Sequence, residues 1–182
     1  MDIQVFAEGN DIKFIKDYIA FLQLPRERLL ADNTEGWTNL KKVKPRLDEA
    51  SDKSFTNLVI FDANGNVDTR RQEILAEKDR LNVEFELFLF PDNQSNGMVE
   101  TLLLSIIPDA QLPLLNCFDA YCNEIQQINP NIQFSLKSKF YAYLEATGQP
   151  NIKKVNFLDT NYWDLKSNSL QNLRDFLRSH IY

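Results

Sequence analysis

Three short runs of this 182-residue chain are almost continuously apolar, and each one stops at an acidic loop. They are Ile3–Ala7, 58–61 (Leu-Val-Ile-Phe) and 85–90 (Phe-Glu-Leu-Phe-Leu-Phe). A strand with one wet face alternates apolar and polar residues, so runs this apolar read as strands covered on both faces. The cover has to be helical, and helical spacing is what lies between the runs. Ile12, Ile15, Tyr18 and Ile19 share one face of a first helix, with Phe14 and Phe21 beside it. Leu40, Val43 and Leu47 space a second, although Pro45 sits awkwardly in its interior. Residues 70–79 give a third, and 97–107 a fourth that starts after Ser95 and Asn96 as caps. Residues 28–31 read as a further, weaker strand. Strands alternating with helices imply parallel pairing through right-handed crossovers, hence an α/β fold.

The pattern changes beyond residue 110. Leu114, Phe118, Tyr121, Ile125 and Ile128 mark a fifth helix with Pro113 in its first turn. Phe140, Tyr143 and Leu144 belong to a sixth, stopped by Gly148, and Leu170, Leu173, Phe176 and Leu177 to a seventh. No strong strand follows residue 110. The expected organisation is an α/β core over 1–110 and a mostly helical extension over 111–182 packed on the same domain. Residues 148–167 read as a polar loop, and no internal repeat or low-complexity linker interrupts the chain.

A net charge of −6 and a pI near 4.9 argue against a broad surface that coats nucleic acid. Local basic clusters remain, at Lys41, Lys42, Lys44 and Arg46, at Lys137 and Lys139, and at Lys153 and Lys154. Each reads first as a solvated face. Apolar stretches fall short of the ~20 residues that span a bilayer, and the N-terminus opens on an acidic residue rather than a basic one. A cytoplasmic protein without a signal peptide is expected. Cys117 and Cys122, poorly placed for an intrahelical disulfide, read as small reduced core residues.

Other chemistries lack their parts. The sole histidine, His180, is two residues from the end, which disfavours a Ser-His-Asp or Cys-His enzyme. Neither a Gly-x-Gly-x-x-Gly nor a Walker A sequence occurs, and no Cys/His cluster suggests zinc. Trp37, Trp163 and Tyr162 could stack on bases but read first as core or contact aromatics.

In an open parallel sheet, ligands bind outside the carboxyl ends of the strands. That rule gathers Glu8, Asp62, Asn64 and Asp92, each of which closely follows a strand-like run. Carboxylates converging from separate strands repel one another, and a hard divalent cation, Mg²⁺ or Mn²⁺, relieves the repulsion.

The stretch Val5-Phe6-Ala7-Glu8-Gly9-Asn10-Asp11-Ile12 resembles the first motif of the Toprim family, and Leu58-Val59-Ile60-Phe61-Asp62-Ala63-Asn64 resembles its Asp-x-Asp motif. Phe88-Leu89-Phe90-Pro91-Asp92-Asn93 followed by Gly97-Met98-Val99-Glu100 is similar to a small bacterial Toprim-like subfamily, as is Lys137-Ser138-Lys139-Phe140-Tyr141-Ala142-Tyr143-Leu144. The resemblance implies a Toprim/Rossmann-like sheet. It makes Glu8 a general acid/base or metal ligand and Asp62 the principal ligand. Asn64 and Asp92 are further ligands by the same resemblance, and Gly9, Asp11 and Glu100 possible contacts. It also implies Mg²⁺- or Mn²⁺-assisted, nuclease-like chemistry on nucleic-acid phosphodiesters. Two departures count against full activity. Asn64 replaces the second aspartate of the motif, and Ile12 stands where relatives carry an acid, with Asp11 one residue earlier. The alternative is a non-catalytic module that binds nucleic acid or a protein partner through a degenerate site.

Overall fold

The computed structural model describes residues 3–9, 11–25, 29–34 and 36–181, with only the backbone described for 29–32. The chain is α/β. Four strands form one parallel sheet in the order β2-β1-β3-β4. β1 (Ile3–Ala7) pairs with β2 (Leu29–Asn33) on one side and β3 (Thr56–Asp62) on the other, and β3 pairs with β4 (Glu86–Phe90). The weaker strand expected over 28–31 is present, shifted toward Asn33, and Arg28 lies outside the described residues.

Every side chain of β1 is buried, as is every residue of β3 after its first. The pleat sends alternate residues to opposite layers. Val5, Ala7, Ile60, Phe88 and Phe90 meet Phe14, Ile15 and Tyr18 of α1 (Asp11–Phe21). α4 (Val99–Ser105), α6 (Leu136–Ala146) and α7 (Gln171–His180) add to the same layer. Phe6, Val59, Phe61 and Leu89 face the other way, onto α2 (Leu40–Asp52) and α3 (Val67–Leu81). α2 runs straight through Pro45, whose missing N–H leaves one bond of that helix unmade.

Residues beyond 110 supply much of the first layer. Residues 148–167 are irregular, with one 3-10 turn at Ile152–Lys154, yet they bury Val155, Phe157, Trp163 and Leu165. Trp163 is fully buried among Phe140, Tyr143 and Phe157, and the Tyr143 hydroxyl donates to the Tyr162 carbonyl at 2.9 Å. The expected polar loop is therefore a core segment, held by four apolar side chains spaced among polar ones. Trp163 is a core aromatic, not a surface available for stacking.

α5 (Leu112–Ile128) departs most from expectation, because Leu115 is its one buried residue. Cys117 is exposed and Cys122 half-buried, both free, so neither is the core residue the sequence suggests. Among the described residues no single helix is long and apolar enough to cross a membrane.

Candidate functional site

The carboxyl ends of β1 and β3 lie side by side, since Ala7 pairs in parallel with Ile60. Glu8 therefore emerges next to Asp62. The chain then turns sharply through Gly9, whose φ of +51° is left-handed, and Asp11 N–H closes the turn on the Glu8 carbonyl at 3.0 Å. The Gly9 N–H donates to Asn33 Oδ1 at 2.8 Å, tying the end of β1 to that of β2. Asp11 thus opens α1 beside Glu8. On the other side, α4 starts against β3, and its Val99 N–H donates to Asp62 Oδ1 at 2.8 Å. Glu100 follows in the first turn of α4. α6 brings in Lys137, whose Nζ is 3.6 Å from Glu100 Oε1.

Four carboxylates and one ammonium make up this cluster. Asp62 and Glu100 are only 8% and 5% exposed, and Glu100 Oε2 has no hydrogen-bond partner. Burial pushes the Asp11 carboxyl up to about 8, with the charges of Asp62, Glu100 and Glu8 adding to it and Lys137 opposing it. Burial likewise pushes Asp62 up to about 7. The Val99 N–H and Lys137 pull it down, and Glu100 and Glu8 push it up. Partial burial works to lower the proton affinity of Lys137, but Glu100, Asp62, Asp11 and Glu8 together raise it.

Two of the expected ligands stand apart. Asp92 serves its own turn: Oδ1 accepts from the N–H groups of Gln94 (2.9 Å) and Ser95 (2.6 Å), and Oδ2 from the Ser95 hydroxyl (2.8 Å). Those bonds outweigh a slight burial and hold its carboxyl below the usual range. It is not among the charges that act most on Asp11 and Asp62. The reason is local, because aspartate in such a turn bonds the backbone two and three residues on.

Asn64 works through its backbone. Its side chain is exposed and its φ is +56°. Its N–H donates to the Gly97 carbonyl at 2.6 Å, and its carbonyl accepts from Gly97 N–H at 2.8 Å. This two-bond bridge latches the loop after β3 to the loop before α4. Gly97 has φ +143°, and a Cβ there would sit 2.8 Å from Thr101 Oγ1 and 3.2 Å from Pro91 Cδ, so any other residue would strain the backbone and displace its neighbours. Asn10, part of the first motif, lies outside the described residues.

A family model matches residues 3–181, and its description is a protein of unknown function, DUF3226. The chain belongs to the DUF3226 family. Neither a curated protein nor a solved structure shows significant similarity to it. The matched span of this DUF3226 chain includes all five clustered residues.

The sequence brings Glu8, Asp62, Asp11 and Glu100 to attention, and the structure adds Lys137 as their shared counter-charge. A signal for it existed. A lysine in the first turn of a helix faces the positive end of the dipole, a mildly unfavourable place that a nearby anion offsets. As the side chains stand, no three acidic, histidine or cysteine residues among those described are grouped to hold a metal ion. The donor set is nonetheless one of hard oxygens, with one buried carboxylate oxygen left unbonded, and that chemistry suits Mg²⁺ or Mn²⁺.

Proposed function

We propose that this DUF3226 protein is Toprim-like, with a divalent-cation site at Glu8, Asp11, Asp62 and Glu100 that serves phosphodiester chemistry on nucleic acid. The observation that carries the reading is Glu100, nearly fully buried with one oxygen unpartnered, beside two aspartates whose proton affinity is already raised. A buried carboxylate without a full set of partners is costly unless a charge or ligand completes it. Lys137 offers one positive charge against four carboxylates. A bound Mg²⁺ or Mn²⁺ would offset two of the three charges that remain and supply Lewis-acid stabilisation of phosphate oxygens. Within the chain, Asp62 is held in place by the Val99 N–H, Glu8 is the side chain available as general acid/base, and Lys137, half-exposed, is placed to meet a substrate phosphate.

A second reading has its own observation. Asn64, in place of a charged ligand, is engaged through its backbone, and Lys137 already offsets part of the negative charge. Both favour a degenerate site in a non-catalytic module that binds nucleic acid or a protein.

Calorimetric titration with Mn²⁺ and Mg²⁺, followed by cleavage assays on plasmid and single-stranded DNA, separates the two. The first reading expects weak Mg²⁺ binding, tighter Mn²⁺ binding, loss of both in Asp62→Asn, and a modest gain in Asn64→Asp, which adds one charge two residues after Asp62. Metal binding without cleavage by wild type or Asn64→Asp leaves the non-catalytic module. No metal binding at all removes the first reading.

A further inference from the structure

A cleft of about 480 Å³ opens next to the acidic cluster. Gly9, the neighbour of Glu8, forms part of its wall, along with Asn33, and three lysines face it: Lys13 and Lys16 from α1 and Lys153 from the 3-10 turn Ile152–Lys154. These lysines come from segments about 140 residues apart, so the grouping is made by the fold and is not a run of basic sequence. Among the described residues the one acid lining the cleft, Asp17, is bonded to Lys13 at 2.7 Å. Among the described residues Lys16 and Lys153 have no carboxylate partner, although the chain carries a net charge of −6. Excess positive charge concentrated beside a negative cluster, in an acidic protein, marks a surface shaped for an anion.

We infer that this lysine-lined cleft holds the nucleic-acid backbone, seating phosphates that flank the one presented to the acidic cluster. The inference rests on the proposed function and adds to it the path of the substrate. Lys16 lies five residues beyond Asp11 on the same helix, about 7.5 Å along its axis and on another face, and Gly9, next to Glu8, joins the cleft wall to the acidic edge. Among the described residues no aromatic ring lines the cleft, and lysine ammoniums are point charges that contact phosphate without reading a base. Binding here is therefore expected to be indifferent to sequence and steeply dependent on salt. The other basic cluster, on α2, is engaged differently, with Lys44 bonded to Asp48.

The test uses full-length protein and fluorescein-labelled 20-nucleotide DNA, single-stranded and duplex, read by anisotropy without divalent ions. Wild type should bind at low salt, and Lys16→Glu/Lys153→Glu should weaken binding more than tenfold. Lys16→Ala/Lys153→Ala should reduce the slope of log affinity against log salt by about 1.5. Lys42→Glu, the same two-unit change of charge as the double alanine variant but placed on α2, should stay within about twofold of wild type. Failure of wild type to bind either DNA, wild-type-like binding by the double variants, or equal loss in Lys42→Glu each overturns the inference. Mn²⁺ titration of the same samples keeps the two ideas apart. Lysine-dependent DNA binding without Mn²⁺ uptake sustains the cleft and sinks the metal reading, whereas Mn²⁺ uptake without DNA binding does the reverse.

Discussion

Glu100 concentrates the energetics of the acidic cluster in one side chain. It is buried, its Oε2 lacks a partner, and its Oε1 has Lys137 at a distance too long for a strong hydrogen bond. Glu100→Gln removes a charge that repels Asp11 and Asp62, so it is expected to raise stability at pH 8 while lowering Mn²⁺ affinity at least tenfold. Urea unfolding and calorimetry on the same variant check both, and a fall in stability with unchanged Mn²⁺ affinity would contradict the cluster's role. The aspartates predict a pH dependence with a definite sign. Asp62 titrates near 7 and Asp11 near 8 in the folded protein, against about 3.9 in an unfolded chain. Between those values the folded state holds more protons than the unfolded state, so stability falls as pH rises from about 4 to about 8. Each tenfold difference in proton affinity is worth about 1.4 kcal/mol. The urea midpoint in EDTA should therefore drop from pH 5 to pH 8, Asp62→Asn should flatten the profile, and Mn²⁺ should restore the midpoint at pH 8. A midpoint that climbs across that interval would falsify the assignment.

At the scale of elements, the strands were legible because burial on both faces leaves an unbroken apolar run that helices do not need. The helices were legible as faces rather than as lengths. α3 was expected over 70–79 but extends over Val67–Leu81, because Asn66 caps its start by accepting from the Thr69 N–H and Asn82 ends it in a left-handed conformation. α5 misled for a different reason. Its apolar residues recur at 114, 118, 121, 125 and 128, a good helical stripe, but periodicity says which residues share a face and not whether anything covers it. The site was legible to the extent that strand ends determine it. Asp92 follows a strand just as Asp62 does, yet turn chemistry captured its carboxylate, and Lys137 arrived from an element far away in sequence. Lys137→Met offers a prediction at this scale. Losing the ammonium should lower metal-free stability at pH 8 and raise Mn²⁺ affinity several-fold, since a +1 and a +2 ion no longer compete for one set of carboxylates. Unchanged values for both would reduce the lysine to a surface residue.

The whole molecule is built so that neither half completes itself. Phe88 and Phe90 of the sheet are covered in part by residues after 110, among them Phe140, Trp163, Leu173 and Leu177. A fragment ending at residue 110 would expose that layer and is expected to show no cooperative thermal transition by circular dichroism. In the intact chain Trp163→Ala should cost about 3–5 kcal/mol, the usual range for emptying a buried aromatic site. Urea unfolding checks it, and a cost below about 1 kcal/mol would mean the layer repacks around the gap. The sequence offered little sign of this dependence. The segment that seals the layer, 148–167, carries its four buried apolar residues without the regular spacing of a helix or strand.

The bridge between Asn64 and Gly97 has a consequence for what happens when a ligand arrives. It joins the loop that follows Asp62 to the loop leading into Glu100, so the conformational freedom of those two acids is surrendered while the chain folds. A ligand then has no ordering entropy to supply at that half of the site, which favours association at a given strength of contact. The other half is different in kind, with Glu8 on a turn and Lys137 on a long, half-exposed side chain. A ligand entering there meets one fixed jaw and one compliant jaw, and differences in ion size would be absorbed by the compliant side alone.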